Sequence, residues 1–120
     1  MARQRTRPKP MPRASLEILL TLLEGDKHGY GIKKIVAQRS GGAVRLGAGT
    51  LYAALNRLLD QGLVEELDER PDPELGSSRW RFYRITSPGR EALRREVARL
   101  ETIVSRARRL IPNRSEEGSP

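Results

Sequence analysis

The chain has no cysteine, one histidine (His28), one tryptophan (Trp80) and one phenylalanine (Phe82). Without cysteine there is no disulfide framework and no thiol chemistry, which suits a reducing cytoplasm. A lone histidine with no cysteine beside it makes no metal-ligand set, so no metal is expected; His28 is expected to fix the turn into a helix. A single tryptophan is thin material for stacking a ligand, and Trp80 is expected to pack on a strand. The apolar run from Leu16 to Leu23 contains Glu17 and is far shorter than the ~20 residues that cross a bilayer. The basic N-terminus is followed by no apolar leader core. These gaps predict a soluble, cytoplasmic protein that makes no membrane contact. No nucleophile–base pair, phosphate-binding loop or dinucleotide-binding pattern is present, so neither an enzyme nor a cofactor is expected.

One further absence is local. From Lys27 to Leu59 there is no Asp or Glu, while Lys27, Lys33, Lys34, Arg39, Arg45 and Arg57 all fall inside the window. Of the formal net charge of +8, residues 1–13 supply five basic side chains and no acid. Residues 14–87 hold ten of each sign, so the middle is neutral in sum but polarised: basic over 27–59, acidic over much of 60–78. A one-signed surface on adjacent short helices fits a polyanion, which makes nucleic acid the first partner to consider.

Periodicity gives the order of elements. Residues 1–13 alternate basic residues with Pro8, Pro10 and Pro12 and are expected to form a disordered basic arm. A first helix over 14–25 carries Leu16, Leu19, Leu20 and Leu23 at i, i+3, i+4, i+7, with Ile18 and Leu22 as a second stripe; so apolar a helix is expected to be covered on two sides. A second helix runs over 29–40 and stops at Gly41 and Gly42. Residues 44–46 can form a short extended piece. A third helix over 48–61 gathers Leu51, Leu55, Leu58 and Leu59 on one side. Two alternating segments follow, Leu63 to Asp68 and Arg79 to Thr86, around a tip holding Pro71, Pro73 and Gly76. Helix, helix, helix, hairpin predicts a mainly α fold with a small β-hairpin: a winged helix-turn-helix over 14–86.

A long C-terminal helix over 87–111 follows, with a disordered tail over 112–120. Its Leu93, Val97, Leu100, Val104, Ala107 and Ile111 are spaced 4, 3, 4, 3, 4, a heptad seam with β-branched residues at a and Leu at d, which favours two parallel strands. The helix spans roughly 36 Å, and a stripe of that length calls for a second helix. It is therefore expected to be a dimerisation helix that makes a homodimer, with Leu16, Ile18, Leu19 and Leu22 of the first helix joining the interface.

Specific residues now carry a resemblance. His28-Gly29-Tyr30-Gly31-Ile32, then Leu46-Gly47-Ala48-Gly49-Thr50-Leu51-Tyr52, then Gly62-Leu63-Val64 and Tyr83-Arg84-Ile85-Thr86 with Gly89 resemble the PadR family of bacterial transcriptional regulators, of the type with a short C-terminal region. The likeness covers about residues 14–110. It implies a homodimeric winged-helix repressor on an inverted-repeat operator, with effector responsiveness in some members; whether this chain has a small-molecule effector is left open. The helix after Gly47 then becomes the recognition helix in the major groove. Gly49, Thr50, Ala53, Asn56 and Arg57 become the residues facing bases: Arg toward guanine, Asn toward adenine, Ala or the Thr methyl toward the thymine methyl. Tyr30, Lys33, Lys34, Arg39 and Tyr52, with Arg79 and Arg81 from the wing, become phosphate contacts. The acidic tip, with Glu69, Asp72 and Glu74, departs from the family pattern. Two other classes remain: a protein-interaction module that kept the winged helix without binding DNA, and a small-molecule-sensing receptor.

Overall fold

The computed structural model describes residues 9–112. Four helices and three short strands follow in the order α1 (Arg13–Leu22), β1 (Lys27–His28), α2 (Gly29–Arg39), α3 (Ala48–Asp60), β2 (Val64–Pro71), β3 (Arg79–Ile85) and α4 (Ser87–Leu110), with one 3-10 turn at Pro73–Leu75. The winged helix-turn-helix is present. Its strands are antiparallel in the order β1-β3-β2. The third strand is Lys27–His28, paired as Lys27 with Tyr83 and His28 with Phe82; residues 44–46, expected to be extended, join no ladder. Between the Glu66–Tyr83 and Glu69–Arg81 pairs β2 carries one residue more than β3. Such a bulge twists an edge strand.

The core is built where the helical stripes converge. Ile18, Leu19 and Leu22 of α1 meet Ile32 and Val36 of α2 and Leu51, Leu55 and Leu58 of α3, closed by Val64, Tyr83 and Ile85. This corrects the interface assignment on α1. Ile18, Leu19 and Leu22 are sealed inside the protomer, Ile18 at 0% exposure, and Leu16 packs against the same cluster. Leu20 and Leu23 are the apolar side chains that α1 leaves outside. Leu93 is likewise core, so the outward part of the α4 stripe begins at Val97. The helix also ends earlier than expected, with Leu23 as its cap and Gly25 at a φ of 129° in the turn beyond.

At the N-terminal side the expected arm meets the domain sooner than its composition implied. Met11 packs against the core, and Arg13 already opens α1. The remainder of the arm, 1–8, and the tail over 113–120 lie outside the described residues. Glu96 of α4 is buried, pairs with Arg99 at 2.6 Å and accepts a backbone hydrogen bond from Met11. The start of α4 is fixed from the other side. Thr86, one residue before the expected Ser87, is its cap and accepts from the Gly89 N–H at 3.0 Å. The Thr86 N–H donates to the Leu63 carbonyl at 3.1 Å and its hydroxyl to the Gly62 carbonyl at 2.7 Å.

Two carboxylates tie distant segments. Asp26 takes two hydrogen bonds from Arg84, at 3.0 and 2.8 Å, and lies 3.5 Å from Arg70. The Arg84 hydrogen bond holds the Asp26 carboxyl below its ordinary range, and the Arg99 hydrogen bond does the same for Glu96. A carboxylate whose pKa is lower in the folded chain contributes stability above its unfolded value of about 4 and loses it as pH falls through the folded value. Thermal midpoints are therefore expected to decline below about pH 4, and Asp26→Asn is expected to lower the midpoint at neutral pH while flattening part of that acid slope. Circular dichroism melts from neutral to acid pH check this; a wild-type and a variant with parallel profiles would contradict it.

Candidate nucleic-acid interface

The outer face of α3 follows from the burial of its inner one. Leu51, Ala54, Leu55 and Leu58 are buried. At about 100° per residue the line opposite them runs through Gly49, Ala53, Asn56 and Asp60, all exposed. Thr50 and Arg57 sit on one flank and Tyr52 on the other. Sequence reasoning grouped Thr50, Ala53, Asn56 and Arg57 as one face. All four are exposed, and Arg57 also lines a groove of about 960 Å³ between the Lys9–Pro12 segment, the end of α3 and α4. Asp60 closes the outward line with a negative charge.

The N-terminus of α3 is open. Its cap is Gly47, which supplies no side-chain hydrogen bond, and neither Gly47 nor Gly49 has an atom within 4 Å of where a Cβ would stand. Backbone N–H groups at an uncapped helix start carry partial positive charge and accept anions. Lys33, Lys34 and Arg45 are exposed and form no ion pair among the described residues, although the Lys34 charge acts on the Asp72 carboxylate. Arg45 entered the sequence reading only as part of the acid-free window; its position two residues before the Gly47 cap makes it a phosphate candidate equal to the lysines. Arg39 is different, because it is held by Glu24 at 2.7 Å, an ion pair across the α1–α2 turn.

Tyr30 and Tyr52 both lie at the start of α2. The Tyr52 ring lies so close to Gly29 that a Cβ there would collide with its hydroxyl; Gly29 is small because Tyr52 crosses it. Tyr30 is half-exposed and stacks 6.1 Å from Trp80. His28 lies beneath them at 3% exposure. Its Nδ1 accepts the Gly31 N–H at 3.0 Å, capping α2 as anticipated, and its Nε2 lies 2.8 Å from Asp72 Oδ2 in the hairpin tip. Since Nδ1 accepts, Nε2 carries the proton and donates. The His28 hydrogen bond lowers the Asp72 pKa, with help from the Glu74 N–H. Trp80 packs on His28 at 4.8 Å, and Phe82 meets it edge-on at 5.2 Å. Trp80 thus packs within the wing, as expected of it.

In the wing itself, Arg79 donates to the Glu69 carbonyl at 2.6 Å and Arg81 lies 3.6 Å from the Glu69 carboxylate. Both guanidiniums are exposed, but Arg81 carries a local counter-charge. Tyr83, whose hydroxyl pKa burial raises, faces inward. Along α4, Val97, Val104 and Ile111 are exposed as the heptad pattern requires, Val104 at 47%. Ile103 and Leu110, missing from the expected seam, are exposed as well, Leu110 at 75%. They widen the stripe into a broad apolar arc on the distal half of α4. Their spacing of seven was readable; the a/d template simply left out the neighbouring g positions. No helix among the described residues is long and apolar enough to cross a membrane.

Comparison with known proteins bears on this arrangement. The sequence pattern of the transcriptional regulator PadR-like family matches residues 18–95. A 37.1 kDa protein in transposon TN4556 of Streptomyces fradiae is 38% identical over 93 residues, covering 78% of this chain and 24% of that protein. The chain thus spans about a quarter of that relative's length. A PadR family transcription regulator from Clostridium difficile R20291 shares the fold at a TM-score of 0.69 and 23% identity, over 84% of this chain and 100% of that one. Bacillus subtilis PadR, solved in complex with operator DNA, aligns at a TM-score of 0.59 and 21% identity, over 69% of this chain and 45% of that one.

Proposed function

Because the chain belongs to the transcriptional regulator PadR-like family, we propose that it binds operator DNA as a homodimer and regulates transcription, as a repressor by occupancy. The observation that carries this reading is the uncapped N-terminus of α3, with Arg45 two residues before its Gly47 cap and with Lys33 and Lys34 exposed on α2, none of the three in an ion pair among the described residues. With α3 in the major groove, the outward line assigns base reading first to Ala53 and Asn56, with Gly49 allowing close backbone approach and Thr50 and Arg57 reading from the flank. Lys33, Lys34 and Arg45 supply phosphate contacts, joined by the Tyr30 and Tyr52 hydroxyls and by Arg79 and Arg81. The distal arc of α4, with Leu20 and Leu23 of α1, supplies the dimer contact. No catalytic role is assigned, and the site of action proposed is the cytoplasm, where the operator is.

The test is binding to DNA flanking the protein's own gene, by footprint and by affinity at several salt concentrations. Ten phosphate-facing cations per dimer predict roughly a hundred-thousandfold loss between 50 and 200 mM salt. An affinity indifferent to salt refutes the DNA reading and leaves the protein-interaction module. Asn56→Ala is expected to weaken the specific site by about 10- to 100-fold and random DNA hardly at all. Equal losses on both would move Asn56 from base reading to backbone contact.

A further inference from the structure

The hairpin tip is the acidic part of the molecule, with Glu69, Asp72 and Glu74 close together, yet its Asp72 is aimed at the helix-turn-helix rather than at solvent. We propose that the His28–Asp72 pair is a positioning element for DNA binding: it clamps the tip of the wing to the first turn of α2 and so sets the place of Arg79 and Arg81 relative to Lys33 and Lys34. This rests on the DNA-binding reading above and goes beyond it, because neither residue is among the proposed DNA contacts.

The geometry is over-determined from both ends. At His28, Nδ1 is committed to the Gly31 N–H at 3.0 Å, so Nε2 must donate. At Asp72, Oδ1 is committed to the Glu74 N–H at 3.0 Å and holds the 3-10 turn, so Oδ2 alone remains to accept from His28, at 2.8 Å. Two donors converge on one side chain, and among residues of this size only a carboxylate accepts both; an asparagine would turn its amide hydrogens toward a donor. The ring is buried, where a charge-assisted hydrogen bond is strong and directional. Trp80 on β3 closes over the imidazole at 4.8 Å, so the same ring is gripped by the strand that carries Arg79 and Arg81. The two partners lie 44 residues apart in sequence. They link β1–α2 to the tip beyond β2, the part of a hairpin that otherwise moves most easily.

The sign of one substitution separates this role from simple electrostatics. Asp72 is a negative charge beside a surface that meets phosphates. On charge alone, removing it strengthens DNA binding; if it positions the wing, removing it weakens binding. Asp72→Ser keeps an oxygen that can accept from the Glu74 N–H but does not reach His28. Glu74→Gln removes one charge from the same turn and keeps the backbone N–H that Asp72 accepts.

The experiment compares operator affinity at fixed salt for wild type, Asp72→Ser and Glu74→Gln, each also in an Arg79→Ala/Arg81→Ala background, with thermal midpoints measured alongside. Expected are an affinity for Glu74→Gln equal to or tighter than wild type, and for Asp72→Ser about tenfold weaker, with the Asp72→Ser loss disappearing once both arginines are gone. An Asp72→Ser protein that binds as Glu74→Gln does overturns the clamp and leaves the DNA reading intact. So does an Asp72→Ser loss that persists without the arginines, because a purely structural defect does not depend on them. Wild-type protein that binds no DNA overturns the DNA reading, and the clamp with it.

Discussion

Val104→Asp is expected to yield a folded monomer whose operator affinity is about 100- to 10,000-fold below that of the wild type, the range by which linking two binding modules raises avidity. Val104 lies in the middle of the outward arc of α4 and is 47% exposed in the single protomer, so the protomer core does not feel the change. In a dimer the same position is covered, and a carboxylate there would be stripped of water without a partner, at several kcal/mol. Helix content by circular dichroism should be retained, sedimentation should give a single-chain mass, and binding to random DNA should fall less than binding to the operator. A variant that remains dimeric would show that the arc is not where two copies meet.

Gly89→Ala is expected to be among the most destabilising single changes in the chain. A Cβ at this position would stand on the Leu63 carbonyl oxygen, with the Ile85 side chain also too near. The obstacle is backbone, so no rotamer relieves it, and the Leu63 carbonyl is itself held by the Thr86 N–H. Either α4 moves away from the α3–β2 turn or that hydrogen bond is lost. Overpacking of this kind costs about 3 kcal/mol, which for a domain of this size lowers the thermal midpoint by roughly 10–20 °C. A midpoint within about 3 °C of wild type would mean that α4 docks less tightly than its cap geometry indicates.

Much of this was legible before any coordinates. The helix order, the hairpin and the heptad spacing of α4 emerge from periodicity because each element repeats its pattern over several turns or residues. The inside of α1 did not. Its two apolar stripes, one through Leu16, Leu19, Leu20 and Leu23 and one through Ile18 and Leu22, look alike in sequence, and only packing against α2 and α3 selects the buried set, Ile18, Leu19 and Leu22, from both. β1 escaped notice because two residues carry no alternation. The pairs that place the wing escaped it for another reason. Asp26 meets Arg84 across 58 residues and His28 meets Asp72 across 44, and local pattern says nothing about such distances. On α3 the exposure of Ala53 and Asn56 follows from helical phase, whereas the place of Arg57 at the edge of the groove and the capture of Arg39 by Glu24 depend on neighbours that no spacing rule supplies.

The junction of Thr86, Gly89 and Leu63 ties the start of α4 to the turn that ends α3. A rod of about 36 Å that swings by about 5° carries its far end through about 3 Å, close to the rise of one base pair in a duplex. In the proposed homodimer, a change in the angle of α4 at this junction would therefore change the distance between the two copies of α3.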